Sequence, residues 1–349
     1  MNTQPQKLET ILRGLRPLFP PVLIDGPGWN HLLHLAADLP AEAAKHMGFE
    51  FRLNDPAPAA DFCVAVQPDQ AVAQHFIRRG QAAKPGSAAA ALAWLVAQLG
   101  EADSSLFQWA NLAGLEYDLI DSPSPLEQQP KPGVFLRLRR PSDERDPVAL
   151  ARAHLANTFA TAAGWPEYPR ECREVERVFD ALPPRAKLMN AGVLPSRALR
   201  GIRLVVSIRL AEISGFLTRL KWPGNMPAVS AILADVSDVC TSFALSFDVS
   251  SQGLSPRLGL ELFVAEGGWA KTTRKNWLPV ITQLQEKGWC SADKADGLLA
   301  WMGKQLIYAN ERLFTAYQGI NHFKIVLHGE VMQAKAYTGM TYFPTPSEG

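Results

Sequence analysis

Short stretches in which apolar and charged residues strictly alternate recur along the chain, two at a time. They restrict the fold more than any other feature, because successive side chains of a strand point to opposite faces. In 48–53, Phe49, Phe51 and Leu53 share one face while Glu50 and Arg52 share the other. In 113–120, Leu115, Tyr117 and Leu119 oppose Glu116 and Asp118, and in 134–139, Val134, Leu136 and Leu138 oppose Arg137 and Arg139. In 201–209, Ile202, Leu204, Val206 and Ile208 oppose Arg203, Ser207 and Arg209. Phe243, Leu245 and Phe247 oppose Ser246 and Asp248 in 243–249, and Leu258, Leu260 and Leu262 oppose Glu261 in 258–264. Phe323, Ile325 and Leu327 oppose Lys324 and His328 in 322–328, and Lys335 and Tyr337 share a face of 333–338. With 61–67 and 189–194 these segments make five strand pairs.

Between the pairs the period changes to that of amphipathic helices. Helices are expected over 5–18, over 28–47 with an interruption at Pro40, and over 87–101, where Ser87 is a cap. Asp146 followed by Pro147 signals another, running to about residue 163, with further helices over 170–182, 211–221 and 226–239. Two more cover 273–286 and the stretch from the cap Ser291 to Gly303. The chain therefore reads as five helix-then-hairpin units, an α/β (α+β) fold. No residue identity links the units, so the periodicity is architectural.

A clean alternation implies an antiparallel sheet with one dry face. The helices need a surface for their apolar stripes, and the dry strand faces supply it. The charged faces must meet water, either on the open side of a sheet or inside a closed barrel. Ten strands are many for an open twisted sheet, and closure removes the edges. The expected fold is one domain over 1–349, a ten-stranded antiparallel barrel with helices outside and a polar lumen. The helices of 1–47 pack on it.

Composition narrows the partners. Lys and Arg number 35 and Asp and Glu 34, so the net charge of +1 supplies no long-range attraction for nucleic acid or a membrane surface. The polar start MNTQPQKLET has no apolar stretch of a secretory leader, and no apolar run approaches a membrane span. Four widely spaced cysteines without a CxxC indicate neither a zinc ribbon nor a dithiol pair, and reduced cytoplasmic thiols are expected. GxGxxG, P-loop, GxSxG and HExxH patterns are absent, which removes the common nucleotide-binding and hydrolase readings.

In layout the chain resembles the ABBA, or PT-barrel, aromatic prenyltransferases over nearly its whole length. The resemblance implies a transferase that moves an isoprenoid group from its diphosphate to an aromatic small molecule or a peptide side chain within a barrel lumen. It implies basic and tyrosine side chains on alternate strand positions that hold the diphosphate. Lys335 and Tyr337, Arg137 and Arg139, Arg203 and Lys324 are similar in type and placement. It also implies a glutamate proton acceptor on the first strand, which here is Glu50. Fixed cations stabilise the charge that develops on a leaving diphosphate. The closing segment HFKIVLHGEVMQAKAYTG resembles bacterial proteins near genes for peptide natural products.

The pattern departs from the family in two ways. Inward tyrosines other than Tyr337 are few, and Glu116, Asp118, Asp248 and Glu261 also face inward. These carboxylates either pair with the arginines or hold a magnesium ion; no cofactor is required. Glu116 and Asp118 can equally form salt bridges across their hairpin, and Glu50 can pair with a neighbouring strand. His328 is a candidate lumen acid or base, whereas His31 and His34 lack the further ligands of a metal site. Trp277, Trp289 and Trp301 are expected to pack helices on the sheet. The alternative function is a module that binds a peptide or a charged small molecule in the same cavity without turnover.

Overall fold

The computed structural model describes residues 7–84, 87–120, 131–139, 147–163, 168–194, 201–264, 269–309 and 311–345. Its strands are β1 (Met47–Arg52), β2 (Ala60–Val66), β3 (Ala110–Tyr117), β4 (Gly133–Leu138), β5 (Lys187–Val193) and β6 (Ile202–Ile208). They continue with β7 (Ser242–Ser250), β8 (Gly253–Phe263), β9 (Gly303–Ala309), β10 (Arg312–His328) and β11 (Val331–Pro344). All pairings are antiparallel, in the order β11-β1-β2-β3-β4-β5-β6-β7-β8-β10-β9, and β11 pairs in addition with β10. That last pairing closes ten strands, β1 to β8 with β10 and β11, into a barrel. The five expected hairpins are five of its ten seams.

The helices lie outside, between hairpins. They are α1 (Leu8–Leu15), α2 (Gly26–Ala36), α3 (Ala71–Gln81), α4 (Ala88–Gly100), α5 (Ser105–Trp109) and α6 (Pro147–Ala163), then α7 (Pro169–Ala181), α8 (Leu210–Arg219), α9 (Met226–Val236), α10 (Arg274–Glu286) and α11 (Ala292–Trp301). Serines cap two of them as their positions suggest: Ala90 N donates to Ser87 and Lys294 N to Ser291, both at 3.3 Å. The cap expected at Asp146 lies outside the described residues. No described helix is long and apolar enough to cross a membrane.

The dry strand faces bury under these helices. Phe19 and Trp301 meet with ring centroids 4.6 Å apart, and both lie against Phe49 of β1, at 5.3 and 5.7 Å. Trp277 of α10 packs edge-on to Phe323 of β10 at 5.3 Å. These rings join the helix layer to the barrel wall. The polar faces of the same strands point into the lumen.

Three elements differ from the expectation. Helices α3 and α5 were not expected, and the fifth unit has a third strand, β9, because β10 starts at Arg312 rather than near His322. From 303 to 317 both faces of the sheet are apolar: Ile307, Phe314 and Ala316 are buried, and Leu306, Tyr308, Leu313 and Tyr317 are exposed. A strand apolar on both faces shows no alternation. One extra residue between Ile320 and His322 forms a bulge where β10 leaves the barrel, and it reverses which residues face the lumen side.

Candidate functional site

Alternate positions of successive strands bring charged side chains together at the centre of the lumen. The hollow there is lined by Glu50 (β1), Glu116 (β3), Arg203 (β6), Ser246 and Asp248 (β7), Arg257 and Gly259 (β8), Lys324 and Val326 (β10), and Lys335 and Tyr337 (β11). Its free volume is about 10 Å³, room for about one water. Side chains fill the rest.

Three ion pairs occupy it. Lys335 Nζ donates to Glu50 Oε1 across the β1–β11 seam. Arg203 is bidentate on Asp248, Nε to Oδ1 and Nη2 to Oδ2, both at 2.8 Å. Lys324 Nζ lies 3.2 Å from Glu261 Oε1. Two pairs are directly opposed in register, Arg203 with Asp248 and Lys324 with Glu261, whereas Lys335 reaches Glu50 diagonally, since its own register partner is Arg52 and that of Glu50 is Tyr337. Pairing is the condition under which charges persist inside a protein.

The pairs set the protonation states. Burial alone would raise the Glu50 carboxyl, but the Lys335 charge and hydrogen bond, a hydrogen bond with Tyr337 and the Lys324 charge together hold it at about 2. Glu261 is likewise held below its ordinary value, burial being outweighed mainly by Lys324. Burial lowers Lys324, against the pull of Glu261. Arg203 is raised, because its hydrogen bonds to Asp248 and that residue's charge outweigh burial. Tyr337 is pushed well up by burial and by the charge of Glu50, so it remains a neutral donor.

Below the hollow the lumen turns aromatic. The His322 ring stacks on Tyr337 (centroids 4.4 Å, 11° between planes) and lies 5.1 Å from Phe263. Its Nε2 is 3.8 Å from Glu261 Oε2, and both ring nitrogens are buried without a hydrogen-bond partner. Burial, reinforced by Lys324, lowers its pKa to about 4 against the opposing charge of Glu261, so His322 is neutral near pH 7.

The lumen thus brings together Glu50, Lys335, Tyr337, Lys324, Arg203, Glu116, Asp248 and, through Lys324, Glu261. The other anticipated residues sit elsewhere. Arg137 is exposed on β4 and does not line the hollow. Arg139 donates from Nε to Phe107 O at 2.6 Å and lies over the Phe107 ring, so it fastens α5 to the end of β4. Asp118 follows the end of β3, and His328 is exposed at the β10–β11 turn. Arg257 and His322 were not anticipated. His322 shares the alternating face of Lys324, a legible signal; Arg257 lies in the part of β8 that precedes the expected strand.

A further buried carboxylate lies beside Glu50, its register partner on β1. Asp61 of β2 accepts hydrogen bonds from Leu119 N (2.7 Å) and Ile120 N (3.0 Å). Burial, then the charges of Glu50 and Asp118, raise its pKa to about 7 despite those bonds. Among the described residues no three His, Cys, Asp or Glu side chains come together as a metal site. All four cysteines are free thiols.

No protein-family model matches the chain, and no curated protein matches it. Among solved structures it is similar to PriB in its binary complex with product diphosphate, at 14% sequence identity over 95% of each chain with a TM-score of 0.48.

Proposed function

We propose that the lumen binds an isoprenoid diphosphate and transfers the prenyl group to an aromatic small molecule or a peptide side chain. The observation that carries this reading is the convergence of Arg203, Lys324 and Lys335 on one hollow that also holds Glu50 and Tyr337. Heterolysis of the bond between the allylic carbon and oxygen sends its electron pair to the diphosphate. The three cations offset that charge, and the neutral Tyr337 hydroxyl donates to it. The allylic cation forms beside the Tyr337, His322 and Phe263 rings, whose faces are electron-rich. The acceptor attacks the cation, and its proton passes to Glu50.

The hollow is nearly filled, so binding proceeds by exchange of partners. The diphosphate takes Lys335 and Lys324 from their carboxylates. Glu50 then loses the cation that holds it near 2, burial dominates, and its basicity rises when the acceptor's proton must be taken. The reading requires no cofactor. A magnesium ion recruited with the diphosphate needs only one or two carboxylates, and Glu116 is in the lining.

The charge balance favours a second reading. The cations Arg203, Arg257, Lys324 and Lys335 are matched by the carboxylates Glu50, Glu116, Asp248 and Glu261. A neutral-on-balance lumen suits a zwitterionic or peptidic ligand held without turnover. Melting temperature in the presence of non-hydrolysable prenyl thiodiphosphates of five to twenty carbons, with and without magnesium, separates the two. The proposal predicts a rise that Lys335→Ala abolishes. Absence of a rise at every chain length, with binding of a peptide instead, selects the second reading.

A further inference from the structure

We infer that Glu50, Asp61 and Asp118 form a row of carboxylates, from β1 across β2 to the end of β3, along which the acceptor's proton leaves the lumen after Glu50 has taken it. The inference rests on the transfer reading above and adds where the proton goes next.

A base in a filled lumen has to be emptied before it can act again. The hollow has about 10 Å³ of free volume, room for about one water, and is too small for a column of water from Glu50 to solvent. Strand register supplies another route. Glu50 is directly opposite Asp61 across the β1–β2 seam. Side chains so opposed have Cβ atoms about 4.5–5.5 Å apart. Across the β2–β3 seam Phe62 faces Tyr117, so the next position brings Asp61 beside Asp118, the first residue past β3. At about 4.8 Å per strand the row spans roughly 10 Å. It leads outward: Asp61 is buried, and Asp118 is half-buried.

Asp61 is held in the geometry of a relay. Its Oδ1 accepts both amide hydrogens, from Leu119 N at 2.7 Å and Ile120 N at 3.0 Å, which leaves Oδ2 to carry a proton. The other ionisable groups on this side are Arg52 beyond Glu50 on β1, Cys63 on the same strand, Glu116 on β3 and Lys335 on β11. Lys335 is engaged with Glu50, and burial keeps the Cys63 thiol neutral. Carboxylates side by side repel one another and retain a proton between them. Burial and the charges of Glu50 and Asp118 place that proton on Asp61. In turnover the bond from the acceptor's attacking atom to hydrogen breaks. Its electron pair stays on that atom, which bonds the allylic carbon, and the proton goes to Glu50. A neutral Glu50 no longer holds the proton on Asp61, so that proton departs past Asp118 to water. Glu50 then passes its own to Asp61 Oδ2. One proton has moved from acceptor to solvent, Glu50 is ionised again and Asp61 is protonated again. Asp61 acts through Glu50 and touches no reacting atom.

The test uses the full chain with a five-carbon allylic diphosphate and water as the acceptor, followed by pyrophosphate release at pH 7. The expected result for Asp61→Asn is a kcat at least tenfold lower with KM within twofold. The solvent deuterium isotope effect on kcat should rise from near unity to at least twofold, since departure of the proton has become limiting. Asp61→Glu should restore most of kcat. Without ligand, carboxyl carbon-13 NMR of the aspartate-labelled chain should show the Asp61 titration at least one pH unit lower in Glu50→Gln than in the wild type. A kcat and an isotope effect unchanged in Asp61→Asn overturn the inference while the diphosphate reading stands. So does an Asp61 titration that Glu50→Gln leaves in place. A wild-type chain that leaves the diphosphate intact removes both.

Discussion

Replacing Lys335 by Met keeps most of the side chain's packing and removes the cation paired with Glu50. Holding that carboxyl at about 2 rather than at its ordinary 4.5 corresponds to about 3 kcal/mol of stability. Breaking a buried pair from one side leaves an uncompensated charge, which costs about 3–5 kcal/mol. Because the folded pKa is depressed, the stabilisation is present above about pH 4.5 and is lost as pH falls toward 2. In the variant, Glu50 stays buried without a cation and takes up a proton at much higher pH. The deficit is therefore largest at pH 8 and shrinks in acid. Urea unfolding at pH 8 and pH 4 reads it directly, and thermal unfolding at pH 8 should show a fall in melting temperature of roughly 4–7 °C. The double variant Glu50→Gln with Lys335→Met removes both charges and should recover most of the loss. Equal deficits at the two pH values, or a double variant as unstable as the sum of the singles, would refute the reasoning.

Two further outcomes follow from buried groups. The Asp61 carboxyl is raised to about 7, so the native state retains a proton that the unfolded chain releases near pH 4. A stability penalty accumulates between those values, and Asp61→Asn, which keeps an oxygen for Leu119 N and Ile120 N, should be stabilising by about 1–3 kcal/mol at pH 8 and neutral at pH 4, as read by urea unfolding. Burial, reinforced by Glu116 and Glu50, pushes the Cys63 thiol up, so iodoacetamide at pH 8 should label Cys63 only after urea is added; rapid native labelling would place it outside the lumen.

The barrel was legible because its strands are half wet. A charged residue at every second position, as with Glu50 and Arg52 or Arg203 and Ser207, marks a face that meets polar surroundings, and five such pairs leave closure as the natural outcome. The same rule placed Glu50, Lys335, Arg203 and Lys324 on inward faces. It could not say how high on the barrel each would sit. Arg137 alternates with the same fidelity as Arg203, yet it lies at an exposed end of β4, because the stagger of strands in a barrel separates side chains that share a face. Cross-strand partners were equally out of reach: Arg203 with Asp248 and Lys335 with Glu50 depend on register, which no single strand encodes. Strand β9 stayed hidden because both of its faces are apolar, and α3 because few of its residues are: Val72, Ala73 and Phe76 form a short stripe among polar neighbours.

The central claim is that the lumen cations leave their carboxylates for a diphosphate. A crystal structure of the full chain soaked with inorganic pyrophosphate tests it most directly. The account predicts pyrophosphate oxygens within hydrogen-bond distance of Lys324, Lys335 and Tyr337, with Lys335 turned away from Glu50. Pyrophosphate absent from the lumen, with the Lys335–Glu50 and Lys324–Glu261 pairs intact, would contradict it.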